Sequence, residues 1–183
     1  MEKTVSIPLT EKVIEELRSG DRVLLNGIIY TGRDAAHKRL VEMLDKGQQP
    51  PINLQGQTIY YVGPCPAKPG TVIGSAGPTT SGRMDPYTPA LLQKGLKGMI
   101  GKGIRSKAVV ESMIKYGAVY FGAIGGAGAL ISQHIKEAEV VAFDDLGPEA
   151  IFKLSVEDFP LTVIIDSHGN DLYKIGREQY RQS

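Results

Sequence analysis

The sequence predicts a single α/β domain built on a mixed central sheet, and three observations predict it. Short apolar runs alternate with segments of helical spacing along most of the chain, the pattern of strands covered by helices. Asn26-Gly27 and Ser167-His168-Gly169-Asn170 lie between apolar residues and read as turns that fold a strand back on itself, which makes the sheet mixed rather than purely parallel. A chain of 183 residues, 42% hydrophobic and 22% charged, is large enough to bury one core without covalent staples. One domain over 1–183 follows.

Thr10 to Leu17 reads as a short helix with Thr10 at its cap, closed by Gly20. Val23 to Leu25 and Ile28 to Tyr30 flank Asn26-Gly27 as a hairpin and lead into Gly32-Arg33-Asp34. From Asp34, Ala36, Leu40, Val41 and Leu44 recur at helical spacing until Gly47 and Pro50-Pro51 stop the pattern. Thr58 to Val62 and Thr71 to Ser75 read as strands around a Gly/Pro-rich turn, the second delivering Gly77 to Arg83. Thr88 to Lys94 is a helix with Pro89 in its first turn. Strand and helix then alternate: Gly98 to Ile100, Ser106 to Tyr116, Ala118 to Phe121, Ala127 to Ile135, Glu139 to Phe143 and Leu161 to Asp166.

Composition narrows the function. Lys and Arg total 21 against 20 Asp and Glu, and no basic cluster is interleaved with aromatics, so no nucleic-acid partner is expected. The apolar runs are far too short to span a bilayer and Met1-Glu2-Lys3-Thr4 lacks a signal-peptide core, so no membrane partner and a cytoplasmic location are expected. Cys65 is the lone cysteine, which excludes a disulfide framework or a self-contained zinc or iron-sulfur site. His134 and His168 have no companions at metal-ligand spacing.

Four segments carry groups suited to chemistry. Gly77-Pro78-Thr79-Thr80-Ser81-Gly82-Arg83 joins flexible backbone, hydroxyls and a guanidinium between a strand and a helix, and reads equally as an anion site or a tight turn. Arg33 is placed either to hold a carboxylate in a bidentate pair or as a surface arginine, with Asp34 as a helix cap. Lys102, between Gly101 and Gly103, is either a point charge near a ligand or a solvated turn residue. Gly122 to Gly128 invites a dinucleotide-binding reading, but its glycine spacing departs from the fingerprint and close packing of a helix on a strand suits it better.

In this order the segments Gly32 to His37, Gly63-Pro64, Gly74 to Asp85, Ile100 to Gly103, Tyr120 to Leu130 and Asp158 to Asn170 resemble the β subunit, or C-terminal half, of class I fumarases and the related L-tartrate dehydratases. The Gly74 to Asp85 block is the most specific of them, and the resemblance covers nearly the whole chain. It implies a swivelling β/β/α fold and a partner α subunit whose three cysteines hold a [4Fe-4S] cluster. It also implies a C4 dicarboxylate substrate and a dimer of heterodimers. Carried over by motif, Arg33, Arg83 and Lys102 contact the substrate carboxylates and Thr79 is the base; Thr80 is its competitor and a further substrate contact, and Asp34 and His37 are placed to orient Arg33. Fumarate/malate and tartrate both stay open as substrates, as does a nucleotide-binding or regulatory module using Gly122 to Gly128.

Overall fold

A computed structural model of the chain describes residues 2–123 and 128–181. Along the described residues run β1 (Glu2–Ser6), α1 (Glu11–Glu16), β2 (Arg22–Thr31), α2 (Asp34–Asp45), β3 (Thr58–Tyr60), α3 (Thr88–Gln93) and β4 (Gly98–Gly101). They continue with α4 (Lys107–Tyr116), β5 (Val119–Gly122), α5 (Gly128–Ser132), β6 (Ile135–Ala142), β7 (Ile151–Ile165) and α6 (Leu172–Arg181). Short 3₁₀ turns cover Ser81–Met84 and Asp144–Glu149.

The seven strands form one sheet in the order β1-β2-β3-β4-β5-β7-β6. β1 to β5 pair in parallel, and β7 pairs antiparallel with β2, β5 and β6, so the mixed α/β class expected from the sequence is the one observed. Because β7 contacts both β2 and β5, the strands β2-β3-β4-β5-β7 close into a ring.

Side chains alternate across that ring as the pleat requires. Tyr60, Val62, Ile100, Val119, Phe121 and Val163 enter one buried cluster, joined by Ile14 and Leu17 at the first helix and by Ile131 of α5. Their neighbours Ile59, Tyr61, Met99, Tyr120 and Ile164 enter a second, against Leu40 of α2, Leu91 and Leu92 of α3, and Val109 and Met113 of α4. Fully buried side chains such as Phe121 and Leu91 each contribute roughly 1.5–3 kcal/mol.

Most predicted elements are found within a few residues of the expected bounds, including α1 with Thr10 accepting from Val13 N and α4 capped by Ser106. Four expectations are corrected. Asn26-Gly27 makes no hairpin: β2 runs straight through it, because β7 pairs with both flanks and β1 with the first. Gly27, at φ 126°, instead makes a bulge there, with Asn26 Oδ1 accepting from Asp158 N at 2.9 Å and Ile7 N donating to Asn26 O. Ile7 backbone lies 3.1 Å from where a Gly27 Cβ would sit, so only glycine fits that approach.

Thr71 to Ser75 is not a strand. Pro64, Pro66 and Pro69 remove donors from the facing segment, so that beyond the turn closed by Thr71 on Lys68 O the two are tied by Cys65 N to Ser75 O and Gly74 N to Cys65 O. β7 begins ten residues before the predicted Leu161, since Glu157, Asp158 and Pro160 hide its continuity. The Ser167–Asn170 turn exists but leads into α6 rather than a returning strand, because Asp171 Oδ1 accepts from Tyr173 N and starts a helix. β1 was not anticipated at all; of its residues only Val5 is buried. No described helix is long and apolar enough to cross a membrane.

The Ser167–Asn170 turn is organised by Asp166, whose buried carboxylate accepts from Ser19 N, His168 N, Asn170 N and Asn170 Nδ2 at 3.0 to 3.2 Å. Burial alone would raise its pKa, but the bonds from Asn170, Ser19 and His168 outweigh that and hold it below the ordinary aspartate value. A depressed folded pKa stabilises the fold above the unfolded value and loses that stabilisation as pH falls through the folded one. Asp166→Asn is expected to lower unfolding free energy by about 2 kcal/mol at neutral pH. The gap from wild type should close in strong acid, as read by urea denaturation across pH; a gap that stays constant down to acid denaturation would exclude the carboxylate as its source.

Candidate active site

Parallel strands in register present their carboxyl ends at one edge of a sheet. β2 ends at Arg33-Asp34, β3 at Tyr61 to Gly63, β4 at Lys102 and β5 at Gly122, so the segments singled out in the sequence share that edge. Two surface hollows lie at the opposite end of these strands. One is bordered by Gly47 to Leu54, and the other by Lys97, Gly117 and His168.

The Gly77 to Arg83 segment lies across the carboxyl edge like an added short strand. Thr79 N donates to Tyr61 O at 2.7 Å, Thr80 forms a parallel bridge with Lys102, and Ser81 N donates to Lys102 O at 2.8 Å. Gly101 makes this possible, since a Cβ there would occupy the space of Ser81 Oγ and approach the Tyr61 ring to 2.8 Å. Gly128 plays the same part beyond β5: a Cβ would meet Ser75 Oγ and come to 3.0 Å from Gly77 N, and Gly128 O accepts from Ala76 N. Gly128 thus meets the 75–77 loop rather than a strand, and residues 124–127 of the Gly122 to Gly128 loop lie outside the described residues.

Charges concentrate beside this segment. Arg83 Nε sits 3.0 Å from Asp34 Oδ1, and the arginine side chain is 54% exposed. Arg33 lies between two carboxylates without bonding either: Nη2 is 3.9 Å from Asp34 Oδ2 and Nε is 3.9 Å from Glu149 Oε1. Arg33 Nε, Asp34 Oδ2 and Glu149 Oε1 are all buried atoms without a hydrogen-bond partner. Gly63 lets the arginine cross the end of β3, since a Cβ would stand 3.0 Å from Arg33 Cδ. Such loosely held guanidiniums suit a carboxylate ligand that completes their bonding.

Below the charged groups lies an aromatic layer. His37 is fully buried, its Nδ1 2.8 Å from Arg33 O and its ring edge-on to Tyr61 at 5.3 Å, while Nε2 has no partner. Tyr120 OH lies 2.8 Å from both Ser81 Oγ and Gly103 O, and burial pushes its phenol far above the ordinary value, so it stays protonated. Arg105 is buried among these rings, donating to Asp85 Oδ1 at 2.7 Å and to Thr88 Oγ1 at 2.9 Å.

The structure thus joins Arg33, Asp34 and Arg83 in one charged group and Thr80 with Lys102 through backbone. Thr79 is held by Tyr61, and no hydrogen bond links it to Arg83 among the described residues. Asp34 pairs more closely with Arg83 than with Arg33, and His37 reaches the Arg33 carbonyl rather than its guanidinium. Sequence reading missed Glu149, Ser81 and the Asp85–Arg105 pair. Asp85 and Arg105 stand two and three residues beyond Arg83 and Lys102, so those short loops held the signal; Glu149 comes from a distant segment with none.

The described residues contain no group of three or more His, Cys, Asp or Glu able to hold a metal ion, and Cys65 is exposed and alone. A [4Fe-4S] cluster does not fit the donors of this chain.

Comparison with known proteins gives a consistent answer. The family described as Fumarase C-terminus matches residues 2–176. "Fumarate hydratase 2" of Leishmania major is 41% identical over 168 residues, covering 89% of this chain and 30% of that protein. "Fumarate hydratase class I, aerobic" of Escherichia coli is 44% identical over 155 residues, covering 84% of this chain and 28% of that protein. The chain therefore spans under a third of the length of these two relatives. "Putative L(+)-tartrate dehydratase subunit beta" of Methanocaldococcus jannaschii is 41% identical over 172 residues, covering 91% of this chain and 88% of that protein.

Burial pushes the His37 pKa down from 6.5 to about 4, against the opposing bond to Arg33 O. Between those values the unfolded chain binds a proton that the folded chain refuses, so stability is full above pH 6.5 and falls as pH drops through the window. The loss reaches about 3 kcal/mol at its acid end. His37→Gln keeps a donor for Arg33 O and does not titrate. It should therefore unfold with a shallower pH dependence between pH 6.5 and 4, measured by denaturant titration. Equal slopes for both proteins would contradict a buried neutral His37.

Proposed function

The chain belongs to the fumarase C-terminus family, and on that premise we propose that it is the β subunit of a two-subunit [4Fe-4S] hydro-lyase that interconverts fumarate and L-malate. Its relatives are named fumarate hydratase and tartrate dehydratase, both hydro-lyases. The observation that carries the reading is the pair of guanidiniums, Arg33 and Arg83, sharing Asp34 beside a threonine-bearing loop at the carboxyl edge of the parallel strands. The subunit role draws on the similar length of the M. jannaschii relative, whose name includes "subunit beta". Its tartrate dehydratase name also supports a second reading, the corresponding subunit of an L-tartrate dehydratase.

In this proposal the cluster belongs to a separate α subunit, and this chain binds substrate and moves a proton. Arg83, steadied through Nε by Asp34 and half-exposed, offers its terminal nitrogens to one carboxylate, and Arg33 and Lys102 add positive charge nearby. Removing a proton from the carbon beside a carboxylate builds up negative charge, which these cations oppose. Thr79 is the proposed base, with its backbone fixed on Tyr61 O; Thr80 is the competitor. A threonine hydroxyl ionises poorly in water, so the step requires the cations and a covered site of low effective dielectric.

The test is anaerobic assay of the co-purified two-subunit complex on malate, fumarate and tartrate. Arg83→Lys keeps the charge but loses the planar fork, and kcat/KM should fall roughly 100-fold. Thr79→Ala should lower kcat by about three orders of magnitude with cluster content unchanged. A near-normal rate for Arg83→Lys would sink the clamp, and a dead Thr80→Ala beside an active Thr79→Ala would move the base by one residue.

A further inference from the structure

We propose that Arg105 is a positioning residue whose buried guanidinium, from beneath the edge, holds Thr79, Ser81 and Arg83 in register with Lys102. The proposal rests on the reading of those residues as the substrate-facing groups.

Among the described residues, those that Arg105 bonds or stacks on, Met99 aside, either lie in the 79–85 segment or bond to it. Nη2 donates to Tyr61 OH at 3.2 Å, and the Tyr61 carbonyl accepts from Thr79 N at 2.7 Å. Nη2 also donates to Thr88 Oγ1, whose hydroxyl donates to Met84 O at 2.8 Å. The Tyr120 ring lies 5.0 Å from the guanidinium carbon, and its hydroxyl joins Ser81 to Gly103. Nε bonds Asp85 Oδ1 at 2.7 Å, while Asp85 Oδ2 accepts from Ser106 N at 2.7 Å. One side chain therefore bonds Asp85 directly, touches the hydroxyl that holds Met84 and the ring whose hydroxyl holds Ser81, and braces the side chain of Tyr61, whose carbonyl holds Thr79. The Asp85 pair also ties this segment to the strand end that carries Lys102.

Packing alone does not account for an arginine here. Its side chain is wholly buried, and an apolar residue of similar volume would fill the space without the cost of desolvating a charge. What an apolar residue, or a lysine, cannot do is present several donors in one rigid plane to partners on separate loops. Met99 Sδ, 3.6 Å from Nη1, occupies the remaining edge of the guanidinium. The groups read as substrate-facing lie above this network, and a misplacement of about 1 Å at a reacting group costs on the order of 100-fold in rate.

The test is Arg105→Lys in the full two-subunit complex, since lysine keeps the Asp85 ion pair and loses the fork. Two readouts are taken at matched melting temperature and matched subunit association: kcat, and amide hydrogen exchange at Thr79, Ser81 and Ser106 in the full chain. The expected result is a kcat lower by about 100-fold together with exchange at Thr79 and Ser81 faster by at least about tenfold. Wild-type exchange and wild-type kcat in a folded variant would overturn the proposal, as would a kcat loss without faster exchange. Should Arg105→Lys fail to fold, Thr88→Val removes one spoke of the network; unchanged exchange at Ser81 and Asp85 in that variant would overturn it equally. An inactive wild-type complex would refute the hydro-lyase reading instead, and the exchange measurement would still decide whether Arg105 holds the loop.

Discussion

The antiparallel pairing of β7 with both β2 and β5 is the constraint on which the rest of the molecule depends. Without it the parallel strands β2 to β5 would form an open twisted sheet whose outer strands splay apart. With it they close on one another, and the segments that leave their carboxyl ends are brought to a common edge. β7 can serve both neighbours because it is 15 residues long and divides its partners: Lys153 to Thr162 faces β2, and Thr162 to Ile165 faces β5. The bulge where Asn26 grips Asp158 lies within the β2 pairing, where a bend lets a long strand follow a closed curve.

That arrangement explains what the sequence could and could not reveal. Local signals were read correctly where a single segment determines its own structure: the Thr10 and Ser106 caps, the helical spacing after Asp34, and the apolar runs of β3 to β5. They misled where a distant partner decides. Asn26-Gly27 has the chemistry of a turn, yet both its flanks have strand partners far along the chain, from Arg22 with Thr162 to Tyr30 with Lys153, so the glycine serves a bulge instead. The same holds for the site. Arg33, Thr79, Arg83 and Lys102 stand in short motifs and could be named, whereas Glu149 meets Arg33 only through the closed ring.

The site contains two kinds of ion pair, and their geometry separates their roles. Arg105 and Asp85 meet at 2.7 Å with the arginine side chain fully buried, and Thr88, Tyr61, Met99 and Ser106 provide further partners to the pair. A pair so completely bonded repays its desolvation and resists movement. Arg33 instead stands 3.9 Å from each of two carboxylates, and the facing atoms Arg33 Nε, Asp34 Oδ2 and Glu149 Oε1 lack hydrogen bonds. Charges held that loosely are poised to rearrange around an incoming anion. A rigid pair below and a loosely bonded pair above suit the role of carboxylate-binding shelf proposed for this edge.

The shelf is open on its outer side: the Arg83 side chain is 54% exposed, and Thr80 and Lys102 are exposed beside it. In water, ion pairing at 4 Å between unit charges is worth only about 1 kcal/mol, too little to make a threonine hydroxyl a useful base. The proposed chemistry therefore needs a surface that closes over Thr79 and excludes water, so that the same cations act at lower dielectric. This chain's described residues form the floor of such a site. The matched region is 30% and 28% of the two fumarate hydratases it resembles, so those relatives contain further chain beyond the region matched here.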